Sequence, residues 1–115
     1  KSKGRNLQKL VRDSLLELFP HLTHNDIRST GMGQTGVDVQ LSEAARLSFP
    51  FGVECKNLAR IAVYSLYDQA VTNSGDLTPL LVIKQNHDIP LVVLSLEDFL
   101  GIIKTNAENS QSLKE

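Results

Sequence analysis

The chain has 115 residues, 41% of them hydrophobic and 22% charged, with a formal net charge of -1. This is one globular domain's worth of chain, large enough for a core of its own and too short for two. One cysteine excludes an internal disulfide and any multi-cysteine zinc site, and predicts a cytoplasmic or other intracellular setting. The longest apolar runs, Pro79–Ile83 and Ile89–Leu94, fall far short of the ~20 residues of a membrane span. The polar, basic opening segment predicts no secretory leader.

Charge is unevenly placed. Lys1, Lys3, Arg5, Lys9 and Arg12 all precede the first acid, Asp13. Such a face can meet a phosphate backbone, and it can equally be a solvated helix surface. Leu7, Leu10, Val11, Leu15 and Leu18 recur at helical spacing, which predicts an amphipathic helix over about residues 4–18, stopped by Phe19-Pro20. Residues 21–36 are polar and turn-rich. Val37–Leu41 alternates and predicts a strand. Ser42–Leu47 reads as a connection. Phe49–Lys56 predicts a second strand, with Pro50 near its start. Leu58–Asn73 predicts a helix closed by Ser74-Gly75. Pro79–Lys84 and Ile89–Leu94 predict two apolar strands around an Asn86-His87-Asp88 turn. Their continuous apolar character predicts a sheet covered on both faces. Ser95 caps a short helix, Leu96–Ile103, and residues 105–115 read as a flexible tail. The expectation is a single α/β domain, core about 3–104, with a central mixed sheet of about four strands flanked by helices.

Three charged residues stand inside these strands. Glu54 and Lys56 are two apart and so share a face, while Cys55 turns to the other. If the two strands pair antiparallel, Asp38 lies across from Glu54. Two carboxylates held together repel unless a cation joins them. Lys56 is one candidate. A divalent cation with a preference for hard oxygen ligands, Mg²⁺ or Mn²⁺, is the other. A simple surface ion pair would also account for the spacing.

The arrangement Gly36-Val37-Asp38-Val39, then Val53-Glu54-Cys55-Lys56 after a short gap, resembles the signature of the PD-(D/E)xK nuclease superfamily, with Val37 where the name has proline. Lys3-Gly4-Arg5-Asn6-Leu7-Gln8 resembles the opening of archaeal Holliday-junction resolvases, with Gln8 where those carry an acid. Arg28-Ser29-Thr30-Gly31 resembles the segment before their catalytic aspartate. Tyr67–Ala70, Pro79–Asn86 and Pro90–Leu100 resemble the distal half of small phage-type nucleases. The resemblance implies a restriction-endonuclease-like core that hydrolyses DNA phosphodiesters with Mg²⁺ or Mn²⁺. It implies metal ligation by Asp38, Glu54 and the Cys55 backbone carbonyl, with Lys56 as general base or water-orienting residue. Gln8 would orient a water without adding charge, which favours one metal over two.

DNA contacts are expected from Lys3, Arg5, Lys9 and Arg12 on the first helix. They are also expected from Ser29 and Thr30 in the donor-rich loop with Gly31, Gly33, Gln34 and Thr35, and from Gln69 and Asn73 on the middle helix. Lys84 ends a strand near the expected site edge. His21 and His24 have no third ligand near them in sequence, and Cys55 reads as a packing residue. Cutting both strands of a junction requires two sites, which predicts a homodimer. Branched DNA is the favoured substrate. A nicking, repair or mobile-element nuclease and a DNA-binding module without catalysis are the alternatives.

Overall fold

A computed structural model describes residues 2–30, 36–57, 59 and 62–114. β3 (Phe51–Asn57) and β4 (Thr78–Lys84) lie parallel at the centre, in register from Phe51↔Thr78 to Asn57↔Lys84. A parallel pair needs a crossover, and α3 (Val63–Ser74) supplies it. β2 (Val39–Leu41) pairs antiparallel with β3 through Val39↔Val53. β1 (Ile27–Ser29) extends the sheet beyond β2, and β5 (Leu91–Val93) pairs antiparallel with β4 on the other side. The result is one mixed five-stranded sheet in sequential order, β1-β2-β3-β4-β5, with helices on its faces.

Alternation along the strands divides the core in two. Val39, Val53, Cys55, Leu80 and Val82 turn to the face covered by α1 (Ser2–Leu18), where Leu7 and Leu15 are buried against them. Leu81 turns to the other face and packs with Leu66 and Ala70 of α3. Burying side chains of this size contributes roughly 1.5–3 kcal/mol each. α1 runs opposite to β3. Phe19, just past its C-terminus, packs on Phe49 at the start of β3, with ring centroids 6.4 Å apart. At its other end Lys3 Nζ donates to Asn86 Oδ1, 2.6 Å away, beyond the end of β4.

Several boundaries differ from expectation. The segment 21–36 contains a strand, β1, so the sheet has five strands and not four. Ser42–Leu47 is mostly helix: α2 (Glu43–Ser48) is capped by Ser42 Oγ, which accepts from Ala45 N–H at 3.1 Å. α3 begins at Val63 behind its N-cap Ala62, later than the expected start, and Ala59 is not helical; residues 58, 60 and 61 lie outside the described residues. Leu10 and Leu18 are exposed, because the sheet meets only the narrower Leu7–Leu15 stripe of α1. The Ser95 cap forms, its Oγ accepting from Asp98 N–H at 3.0 Å. The helix it starts does not stop at Ile103. α4 spans Leu96–Lys114, so the expected flexible tail is helical through Lys114, and among the described residues α4 packs broadly against no other element. β5 is likewise uncovered: Leu91 and Val92 are exposed, against the expectation of a sheet enclosed on both faces.

Candidate active site at the β2–β3 fork

Asp38 stands where β2 peels away from β3. Its N–H donates to Val53 O at 2.9 Å, a backbone bond beside the Val39↔Val53 pair. One residue earlier the ladder has parted, for the Val37 carbonyl accepts instead from Thr30 Oγ1 at 2.6 Å. Gly36 makes the approach with φ +93°, a conformation that favours glycine. The Asp38 side chain completes the ladder: Oδ2 accepts the Cys55 N–H at 2.8 Å. Thr30 N–H holds the Asp38 carbonyl from the other side at 2.7 Å. Asp38 is thus fixed at backbone and side chain alike.

Across the fork, the Val39↔Val53 register sets Asp38 opposite Glu54. Glu54 is 5% exposed, and its Oε2 lies 3.3 Å from Lys56 Nζ. Burial pushes the Asp38 carboxyl above the usual carboxylate range, opposed by the Cys55 N–H and by the Lys56 charge. Glu54 is also pushed up, first by burial and then by the neighbouring Asp38 charge. Lys56 and the Asn73 side chain oppose the rise. The three charges therefore form one electrostatic unit. The Cys55 thiol is pushed far up by burial and by both carboxylates. It stays protonated and acts as a packing group of the α1-side core, as its place on the strand predicts.

Metal fit rests on the oxygens. Glu54 Oε1 is buried without a hydrogen-bond partner. An unpaired buried carboxylate oxygen is costly unless a cation meets it. The Cys55 carbonyl leaves β3 on the same edge as its N–H, which is the Asp38 edge. Two carboxylates and a carbonyl suit Mg²⁺ or Mn²⁺, which take the rest of their shell from water and substrate phosphate. Among the described residues no group of three or more His, Cys, Asp or Glu side chains is placed to hold a metal, so these side chains offer two carboxylates only.

The other expected site residues fall into three groups. Gln69 and Asn73 are both exposed on α3, and Asn73 is near enough to Glu54 to favour its ionised form. Gln8 is buried on α1, the helix that packs on the Val53 and Cys55 face, and its Oε1 has no partner. No hydrogen bond between Gln8 and the cluster is present among the described residues. Thr30 is 7% exposed and turned inward, so it positions Asp38 and does not meet a phosphate. Ser29 is half-buried on the α1 side of β1, paired with Val39.

On α1, Arg5 and Lys9 are exposed, Lys3 is engaged by Asn86, and Arg12 Nε pairs with Asp13 at 2.9 Å. Lys84 Nζ turns back to the Gln85 carbonyl at 3.3 Å. His21 contacts Ser48 Oγ at 3.2 Å. Gly31, Gly33, Gln34 and Thr35 lie outside the described residues.

Sequence reasoning missed a groove. α3 covers β3 and β4 but leaves bare the β1–β2 half of its face. A cleft of about 550 Å³ opens there, lined by Arg28, Gln40, Arg46 and Asn73, and bounded by Gly36 and Val37 just ahead of Asp38. Arg28 and Gln40 are a registered pair, and alternation sets them on the same face as Asp38 and Glu54. The two arginines come from a segment read as loop and from a helix read as a connection, so periodicity gave no sign that they share a wall. Of the acids beside them, Asp26 is already engaged by Thr23 and Ser42 and held below the usual carboxylate range. No family model, curated protein or solved structure matches the chain.

Proposed function

We propose that the chain is a metal-dependent DNA endonuclease that hydrolyses phosphodiester bonds at Asp38, Glu54 and Lys56. The observation that carries this reading is the fork itself. A carboxylate fixed by a backbone N–H faces a second buried carboxylate with an unpartnered oxygen, and one lysine is paired to it. Perturbed carboxylates in such a cluster are a signature of functional sites. Mg²⁺ or Mn²⁺ held by Asp38, Glu54 and the Cys55 carbonyl would supply Lewis-acid stabilisation of charge developing on the phosphoryl oxygens.

The chain's own residues do the rest. Asp38 enters with its geometry already fixed by Thr30 and Cys55, so little ordering remains for the reacting state. Lys56 is partly exposed, and its ammonium can orient an attacking water while still paired with Glu54. Asn73 favours ionised Glu54. Arg28 and Arg46 line the adjoining cleft, where a guanidinium can take a phosphate oxygen on either of two N–H groups. Arg5 and Lys9 add exposed positive charge on α1. A branched substrate follows from the resemblance of residues 3–8 and 28–31 to junction resolvases.

Gln8 favours a second reading. No acid stands at that position, and the glutamine oxygen is buried without a partner. A DNA-binding module without catalysis would tolerate both.

Cleavage of a labelled four-way junction and a matched linear duplex, with Mg²⁺ and with Mn²⁺, tests these readings. Wild type is expected to cut, and Asp38→Ala and Lys56→Ala to lose at least about a hundredfold in rate. The junction-to-duplex ratio reads substrate shape. Salt-sensitive binding with no cutting by wild type would support the module. Neither binding nor cutting would remove both readings.

A further inference from the structure

The β5–α4 side of the molecule carries an apolar face turned to solvent. On α4, Leu96, Phe99, Leu100 and Ile103 fall at i, i+3, i+4 and i+7, the spacing of a buried stripe. Yet Leu96 is 72% exposed, and the other three are about half exposed. The opposite side of α4, with Asp98 and Ile102, is the one turned toward the body, across a cleft shared with Phe51 and Thr78. Val92 of β5 continues the stripe through a hollow that it shares with Leu94, Leu96 and Phe99. β5 is an edge strand, exposed and carrying apolar side chains, the kind of edge that proteins cover.

We propose that this face binds a second copy of the chain, with the two α4 helices antiparallel about a two-fold axis. The charges select both partner and direction. Glu97 and Lys104 are seven residues apart, two turns of helix, and so flank the stripe on the same side. Antiparallel pairing centred between Phe99 and Leu100 sets Leu96 against Ile103 and Phe99 against Leu100. It also brings Glu97 of each copy alongside Lys104 of the other. In a parallel pair the two-fold axis carries this flank to opposite sides of the contact, and Glu97 and Lys104 do not meet.

The five apolar side chains expose on the order of 500 Å². With their polar flanks this approaches the ~800 Å² that each partner buries in a standard interface. An anionic membrane fits poorly, since Glu97, Asp98 and Glu108 outnumber Lys104 and Lys114 on this helix. The inference stands apart from the nuclease reading, and its test uses no cleavage.

Sedimentation equilibrium of the full chain is expected to give twice the 12.7 kDa chain mass at micromolar concentration. Ile103→Glu, at an exposed position, is expected to keep the far-ultraviolet spectrum and weaken the dimer at least about tenfold. Glu97→Lys and Lys104→Glu are each expected to weaken it, and the double swap to restore it. A wild-type monomer up to about 100 μM would overturn the proposal, as would a dimer indifferent to Ile103→Glu. A dimer that the double swap fails to restore would overturn the antiparallel arrangement.

Discussion

At Glu54 and Asp38, burial holds both carboxyls toward their neutral forms, Asp38 adds to the rise at Glu54, and only Lys56, Asn73 and the Cys55 N–H oppose it. Because both shifts are upward, the folded state binds these protons more readily than the unfolded chain. Their contribution to stability is therefore present below the ordinary carboxylate pKa and is lost as pH rises through the folded values. Glu54→Gln removes this cost, and is expected to stabilise the protein by about 1 kcal/mol at neutral pH while abolishing cleavage. The gain should vanish near pH 4, which thermal melts at the two pH values will show. Asp26 behaves oppositely. Its bonds from Thr23 and Ser42 lower its pKa, so Asp26→Asn should lower the melting temperature at pH 7 and lose that effect as pH falls through the folded value. Thr30→Val removes the hydroxyl that holds the Val37 carbonyl. It is expected to cost about 1 kcal/mol and to lower kcat more than it raises KM, since Asp38 loses a support without losing a substrate contact.

Among the elements, β3 and α3 approach most closely at Gly52. A Cβ there would lie 2.6 Å from Ser74 Cβ and 3.0 Å from Ser74 Cα, so the helix itself would have to move. Gly52→Ala is expected to cost about 1–3 kcal/mol in urea denaturation. A wild-type midpoint would show that α3 can shift freely on the sheet. This contact lies one alternation step before Glu54, so the same displacement would carry Asn73 away from the carboxylate. Strand alternation alone placed Glu54 and Lys56 on one face and Cys55 on the other, and antiparallel pairing brought Asp38 opposite. Three-residue β1 escaped notice, because Ile27 is its one apolar residue and a single residue shows no period. α2 has a Ser42 cap and an acidic first turn, yet its six residues are too few for a helical repeat. The Asp38 bond to Cys55 N–H was not legible in the sequence either. It depends on Thr30 taking the Val37 carbonyl, a contact between side chain and backbone that no pattern of apolar residues encodes.

Over the whole molecule, the arginine-lined cleft and the α4 face exist only once elements are assembled. The cleft forms because α3 covers half of a face, and the α4 stripe stays bare because the helix packs broadly on nothing among the described residues. If DNA follows the cleft, Arg28→Ala and Arg46→Ala should each lower the slope of log affinity against log salt by about 1. Arg12→Ala should change it less, because Asp13 already neutralises that charge. Fluorescence anisotropy over a salt series makes this comparison without requiring turnover.

The Asp38 rung has a bearing on how the sheet finds its alignment. β2 and β3 share one registered pair, Val39↔Val53, which is little to select among neighbouring alignments. β3 is held by its seven-pair register with β4, so a slip of one residue would turn β2 over, driving Asp38 and Gln40 toward the Leu7–Leu15 layer and Val39 toward the α3 face. It would also strand the Cys55 N–H without the Asp38 carboxylate. Asp38, proposed for hydrolysis, thus also penalises a misaligned β2 with buried, unpaired charge, whether or not a substrate is present.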